Sequence, residues 1–219
     1  MSDKVIYIIP AREGSKGLPH KNRKLIYYAT QSLRGRWMDT YITTDDQHIR
    51  EMYYNTLINI IDRPKVLAAD DTSMKDVLMH AVSEIKPSDD TLLVTLYPTY
   101  PERTAFHIDA AIKFFEENNG KSMLCRKHYK GLSPYLMMFP VIDWEGGMRG
   151  KQVIPHNLYR RQDYSPVFEI SHYIAITKVD ELSNLNSNLY NSQTLFYPIT
   201  DVIDVDTPED LNKFKAIQA

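Results

Sequence analysis

Short apolar runs alternate with helical periodicities along the first part of the chain. Val5–Ile9 is a continuous apolar run closed by Pro10, the pattern of a strand buried on both faces. Leu25–Leu33 is helical in character, Tyr41–Thr44 reads as a strand, Asp46–Tyr54 as a helix, and Leu57–Ile61 as another apolar strand. Over Ser73–Ile85, the residues Met74, Val77, Leu78, Ala81, Val82 and Ile85 recur at spacings of three and four. That spacing makes one apolar helix face, with Ser73 suited to the N-cap. Leu92–Leu96 is strand-like. Thr104–Glu116 forms a second clear helix, with Ile108, Ala111, Ile112 and Phe115 on one side, and Ser122–Cys125 suits a short strand.

From Lys127 to about Pro166 no helical period is sustained. Short apolar pieces are broken by Pro134, Pro140, Gly146, Gly147, Gly150 and Pro155, as in an inserted β-rich segment. Ile170–Thr177 is strand-like again, and Ser183–Ser192 is a polar loop. The pattern predicts a last strand over Val202–Val205. A last helix follows over Thr207–Ala216, opened by a capping-box pair, Thr207 with Asp210. Strands alternating with helices predict a single α/β domain over 1–219, with a mainly parallel sheet covered on both faces and an insertion at about 127–166. Ligands in such sheets bind beyond the carboxyl ends of the strands. Chemistry is therefore expected after Ile9, Thr44, Ile61, Leu96 and Val205.

Composition narrows the function classes. In 219 residues, a hydrophobic fraction of 43% supports a real core. The net charge of -2, from 26 basic and 28 acidic residues, argues against a nucleic-acid binder. A single cysteine, Cys125, permits no internal disulfide and suits a reducing compartment. Val5–Pro10 is too short for a signal-peptide core, and no run approaches the ~20 apolar residues of a membrane span. A soluble, cytoplasmic protein with no membrane or nucleic-acid partner is expected.

Several strand ends carry candidate chemistry. Pro10–Asn22, PAREGSKGLPHKN, holds Arg12, Lys16 and Lys21 among Gly14, Ser15 and Gly17. Glycines let backbone amides turn towards an anion, Arg offers a fork to phosphate oxygens, and Lys a mobile charge. The loop follows neither the Walker nor the GxGxxG pattern. On the residues alone it is an oligophosphate loop or a solvated one. In Ile203–Thr207, IDVDT, Asp204 and Asp206 are two apart, which in a strand puts both carboxylates on one side. Such a pair can hold Mg²⁺ with water and substrate phosphates, although Asp206 could instead start the turn before the helix. Thr43–Asp46, TTDD, is explained equally by an N-cap role for Asp45 or Asp46. Arg63 before Pro64 can face a base carbonyl or solvent. Arg160 and Arg161, in YRRQD, suit a carboxylate clamp or a charged surface turn. No histidine pair has metal-ligand spacing.

These features occur in the order found in one family. The chain resembles the CMP-N-acylneuraminate synthetases and their cytidylyltransferase relatives. The resemblance is carried by PAREGSKGLPHKN, TTDD, RPKVLAADDTS, LYPTYPERT, RRQD and IDVDTPEDL, from Val5 to Leu211. It implies a Rossmann-like three-layer α/β/α nucleotidyltransferase fold. It also implies transfer of CMP from CTP to an acidic 2-keto sugar, with release of pyrophosphate. Arg12, Ser15 and Lys16 would hold the triphosphate, Lys21 would face the phosphates, Asn22 the base or ribose, and Arg63 the cytosine. Tyr97, Arg103, Arg161 and Gln162 would serve the sugar acid, and Asp204 and Asp206 would bind Mg²⁺. Arg12, Lys21 and Asp206 would act in catalysis. A homodimer paired through the insertion is also implied. Departures gather on the acceptor side: Tyr97 stands for Gln, Met74 for Ser, and Ser171–His172 for Asn-Gly. The same features therefore fit an enzyme for pseudaminic, legionaminic or octulosonic acid, or a catalytically quiet nucleotide-binding relative.

Overall fold

Alternating side chains along each strand supply two apolar faces, and both are covered. The computed structural model describes residues 4–142 and 148–218. β1 (Val5–Pro10), β2 (Thr40–Thr44), β3 (Asn59–Asp62) and β4 (Leu92–Thr95) run parallel in the order β3-β2-β1-β4. β5 (Ser122–His128), β8 (Phe168–Lys178) and β9 (Leu195–Pro198) extend the sheet as β4-β8-β5-β9. β8 alone is antiparallel to its neighbours, whereas β5 and β9 are parallel. The chain leaves β5 through the insertion and returns beside it as β8, a reversal that needs no crossover helix.

Tyr7 and Ile9 enter one core with Leu92, Val94 and Leu96, covered by α1 (Lys21–Gln31), α2 (Gln47–Tyr53) and α4 (Ala105–Glu117). Ile6, Ile8 and Leu93 enter the other, beneath Leu78 and Ala81 of α3 (Met74–Ile85) and the leucines that follow β8. Phe214 of α5 (Pro208–Gln218) packs edge-on against Tyr28 of α1 in a third cluster with Leu18, Leu25 and Val205. The result is the three-layer α/β/α arrangement. The expected caps form: Ser73 accepts from the Asp76 amide, and Thr207 and Asp210 bond reciprocally. Cys125 is buried, and burial pushes its thiol up to about 12.

The structure corrects two expectations. Val202–Val205 is not a strand; it crosses the loop after β4, held by the Val205 amide on Thr99 O at 2.8 Å. The last strand is instead β9, whose apolar Leu-Phe-Tyr pairs with β5 directly after the polar loop. Helix α1 also begins a full turn before Leu25, at Lys21, so that Lys21 and Asn22 are held on helical backbone. The insertion contains an antiparallel pair, β6 (Met138–Ile142) with β7 (Met148–Gln152), as a separate two-stranded sheet. The breaks read at Gly146 and Gly147 lie outside the described residues. No described helix is long and apolar enough to cross a membrane.

Candidate active site

The loop after β1 is built on neighbouring strand ends. The Thr44 hydroxyl donates to Ala11 O at 2.5 Å, and Asn22 Nδ2 to Arg12 O at 2.8 Å. Asp45 accepts the Glu13 amide at 2.8 Å. TTDD therefore divides its labour: Asp45 holds the loop, while Asp46 N-caps α2 and pairs with Arg23. The two glycines act differently. Gly14 has φ +77°, which turns the chain, whereas a Cβ on Gly17 would lie 2.5 Å from the Asp206 carbonyl oxygen. Gly17 thus lets the loop close against the Asp-x-Asp segment from the far end of the chain.

Each loop cation has a carboxylate partner. Arg12 donates to Ala68 O at 3.1 Å and pairs with Asp70 at 2.6 Å; Lys16 pairs with the same Asp70. Hydrogen bonds from Lys16 and Arg12 hold the Asp70 carboxyl below the usual range. Lys21 pairs with Asp206. Arg63 is buried and donates to Thr43 Oγ1 at 3.3 Å and Thr43 O at 2.8 Å. Burial draws its guanidinium down to about 10, against the opposing pull of Asp45.

Two adjoining cavities open where the sheet order reverses, between the carboxyl ends of β1 and β4. The smaller, about 220 Å³, is lined on its basic side by Arg12, Ser15, Lys16, Lys21, Asn22 and Arg63. The larger, about 580 Å³, is lined by Asp204, Asp206, Tyr100, His172, Ser187 and Asn188, among others. Lys21, Met74, Tyr97 and Thr99 belong to both. Tyr97, expected on the acceptor side, therefore stands where the cavities meet. Its ring is edge-on to His172 at 5.5 Å, and burial raises its phenol, which stays a neutral donor.

Three expected residues are elsewhere. Arg103 is buried and lines neither cavity. It donates to Tyr173 O at 2.7 Å and Tyr97 O at 2.9 Å, bracing the loop after β4 against β8. It supports the wall rather than facing a ligand. Arg161 and Gln162 are exposed on a short helical turn of the insertion, Arg161–Asp163. Arg161 borders a separate cavity of about 440 Å³ with His128, Tyr129 and Tyr164. A single chain does not bring them to the crevice.

The carboxylate pair suits a hard divalent cation. Burial raises the Asp204 carboxyl, with Asp206 adding to the effect. Its Oδ1 is buried without a hydrogen-bond partner, although Tyr100 and Thr99 are close. A buried acceptor lacking a donor is costly unless a cation or proton meets it. Among the described residues no cluster of three or more His, Cys, Asp or Glu could hold a metal. Mg²⁺, which commonly takes one or two carboxylates and completes its shell with water and phosphates, fits such a donor set.

Asp70, His172, Ser187 and Asn188 were not among the expected site residues. Asp70 lies within the RPKVLAADDTS segment, whose acidic run was the available signal. His172, on β8, was marked only as a departure from the family's Asn-Gly, and Ser187 and Asn188 come from the polar loop after β8, which no local motif marks.

A family model described as Cytidylyltransferase matches residues 6–134. The chain is 27% identical over 223 residues to an N-acylneuraminate cytidylyltransferase of Streptococcus agalactiae serotype V, covering 94% of this chain and 51% of that protein. It is 32% identical over 124 residues to the N-acylneuraminate cytidylyltransferase of Escherichia coli O18:K1:H7, covering 53% of this chain and 29% of that one. The chain thus spans about half the length, or less, of the curated relatives it matches. In fold it is similar to a CMP:2-keto-3-deoxy-manno-octonic acid synthetase solved with CTP. The TM-score is 0.66 at 15% identity, over 99% of this chain and 98% of that one. A 4-diphosphocytidyl-2C-methyl-D-erythritol synthase gives a TM-score of 0.60 at 9% identity, over the whole of both chains.

Proposed function

Since the chain belongs to the cytidylyltransferase family, we propose that it transfers CMP from CTP to an acidic 2-keto sugar, an N-acylneuraminate or related nonulosonic acid, and releases pyrophosphate. One observation carries this reading. A cation-lined cavity and a carboxylate-lined cavity adjoin at the switch point of the sheet and share Lys21, Met74, Tyr97 and Thr99. The curated relatives named above, each an N-acylneuraminate cytidylyltransferase, support the choice of acceptor class.

On this reading the smaller cavity receives the nucleotide. Arg12, Ser15 and Lys16 bind the triphosphate, and Arg63, fixed on Thr43, donates to the cytosine while Asn22 faces base or ribose. The acceptor occupies the larger cavity, and its anomeric hydroxyl attacks the α-phosphorus as the bond to pyrophosphate breaks. Nucleotidyl transfer depends mainly on positioning and charge neutralisation. Lys21, at the junction, is suited to neutralise charge growing on the phosphates, and Tyr97 separates the two ligands. Asp204 and Asp206 would hold Mg²⁺, which supplies charge stabilisation on the phosphate oxygens when bound. Asp204 or Asp206, acting through a water molecule, would help to deprotonate the attacking hydroxyl. Arg161 and Gln162 would meet the acid's carboxylate from a second copy of the chain, whose insertion reaches this crevice in a homodimer.

The test is pyrophosphate release from CTP and Mg²⁺ with sialic, pseudaminic, legionaminic and octulosonic acids in parallel. Release with one acid or a close group of them is expected. CTP binding without release on any acid would sink the catalytic reading and leave a nucleotide-binding relative.

A further inference from the structure

Lys75 lies in the first turn of α3, next to Met74, and is not among the residues given a role in either cavity. Its ammonium donates to the carbonyls of Ser183 and Leu185, each at 2.7 Å. Those carbonyls belong to the loop between β8 and β9, more than a hundred residues away in sequence.

That loop has its own internal scaffold. Leu182, Leu185 and Leu189 are buried in the core beneath Leu78 and Ala81. The Glu181 carboxylate accepts from Asn184 at 3.1 Å and from Asn191 at 2.6 Å. Asn186 Oδ1 accepts the amides of Asn188 at 2.9 Å and Tyr190 at 3.2 Å, and Leu189 closes the turn at φ 66°. These interactions shape the loop. Among the described residues, the hydrogen bonds that join it to α3 come from Lys75.

The junction matters because both elements line the larger cavity. Thr72, Ser73 and Met74, at the start of α3, form part of its wall, and Ser187 and Asn188 form another part. Apolar burial is non-directional and tolerates small slides of leucines over α3. Two hydrogen bonds to one ammonium are directional and do not. We infer that Lys75 is a positioning residue that sets the spacing between the start of α3 and Ser187–Asn188, and so the fit of the acceptor. A compact ammonium on a flexible stem, with three donors, suits two carbonyls two residues apart. The inference rests on the larger cavity's being the acceptor site.

The experiment compares Lys75→Met, which keeps the apolar stem without donors, with Lys75→Arg, which keeps the charge and donors. Lys75→Met is expected to raise KM for the acid by roughly tenfold, since small misplacements cost that much or more, with KM for CTP nearly unchanged. Lys75→Arg should recover most of the loss. Amide hydrogen exchange over 183–191 should quicken in Lys75→Met. Equal changes in both KM values, or none in either, would overturn the positioning role. Unchanged exchange would overturn the tether itself. Wild-type protein that turns over no acid removes the acceptor reading, and exchange then decides alone whether Lys75 holds the loop.

Discussion

Arg12 and Lys16 share one partner, Asp70, whose side chain is 45% exposed. Exposed ion pairs are readily exchanged for a better anion. Arg12 keeps a second anchor on Ala68 O, so it stays oriented when the carboxylate is lost. On the proposed nucleotide-binding role of this loop, Asp70 would compete with phosphate for these cations more than it organises them. Asp70→Asn is expected to tighten binding of CTP and of inorganic tripolyphosphate by roughly fivefold, the effect of one charge at contact distance in water. Calorimetry at two salt concentrations checks this, and the gain should shrink at the higher one. Weaker binding by the variant would show that Asp70 pre-orients the loop instead.

At the scale of elements, the site depends on contact between segments from opposite ends of the chain. Gly17 in the loop after β1 meets the carbonyl of Asp206 ahead of α5, where no Cβ fits without movement of backbone. Gly17→Ala must push the loop after β1 away from the Asp-x-Asp segment. Binding of CTP should weaken, and Mg²⁺-dependent turnover should fall by roughly a hundredfold, as a displacement of about 1 Å predicts. The helices beneath are untouched, so the thermal midpoint should move little by comparison. Turnover in Gly17→Ala equal to wild type would mean that the loop and the Asp-x-Asp segment need not meet. Much of this scale was legible beforehand: β1, β2, β4, α3, α4 and α5 follow from apolar periodicity and caps. β9 was not, because four residues after a polar loop carry too little periodicity to tell a strand from a turn. Asp204 and Asp206 were expected on a strand, yet they reach one cavity from irregular backbone held by Thr99 and Glu102.

For the molecule as a whole, the insertion is the unfinished part. Met138, Phe139, Val141 and Ile142 of β6 are all exposed, as are Leu132, Leu136 and Leu158 nearby. An isolated two-stranded ribbon is marginal in water, and an apolar patch of this kind marks an interaction surface. In the proposed homodimer, a second copy would cover this patch, and Arg161, which does not reach the crevice within its own chain, would be supplied by the partner. The wild-type chain is expected to sediment as a dimer, with Phe139→Glu shifted towards monomer. Arg161→Ala should remain dimeric, weaken use of the acid and spare CTP binding. A wild-type monomer at assay concentration would remove this arrangement, and an effect of Arg161→Ala on CTP alone would contradict its role.

By itself the sequence determined the layered α/β plan, the basic loop after the first strand, and the two aspartates before the last helix. These are local facts: periodicity buries faces, caps end helices, and charged residues at strand ends stay near the edge of the sheet. Only the tertiary structure decided which of those residues meet. It paired Arg12 and Lys16 with Asp70 and packed Gly17 onto Asp206. It sank Arg103 behind the wall, kept Arg161 apart, and brought His172, Ser187, Asn188 and the Lys75 tether to the larger cavity. Such contacts join positions tens to more than a hundred residues apart, and no periodicity along the chain encodes which distant segments will lie side by side.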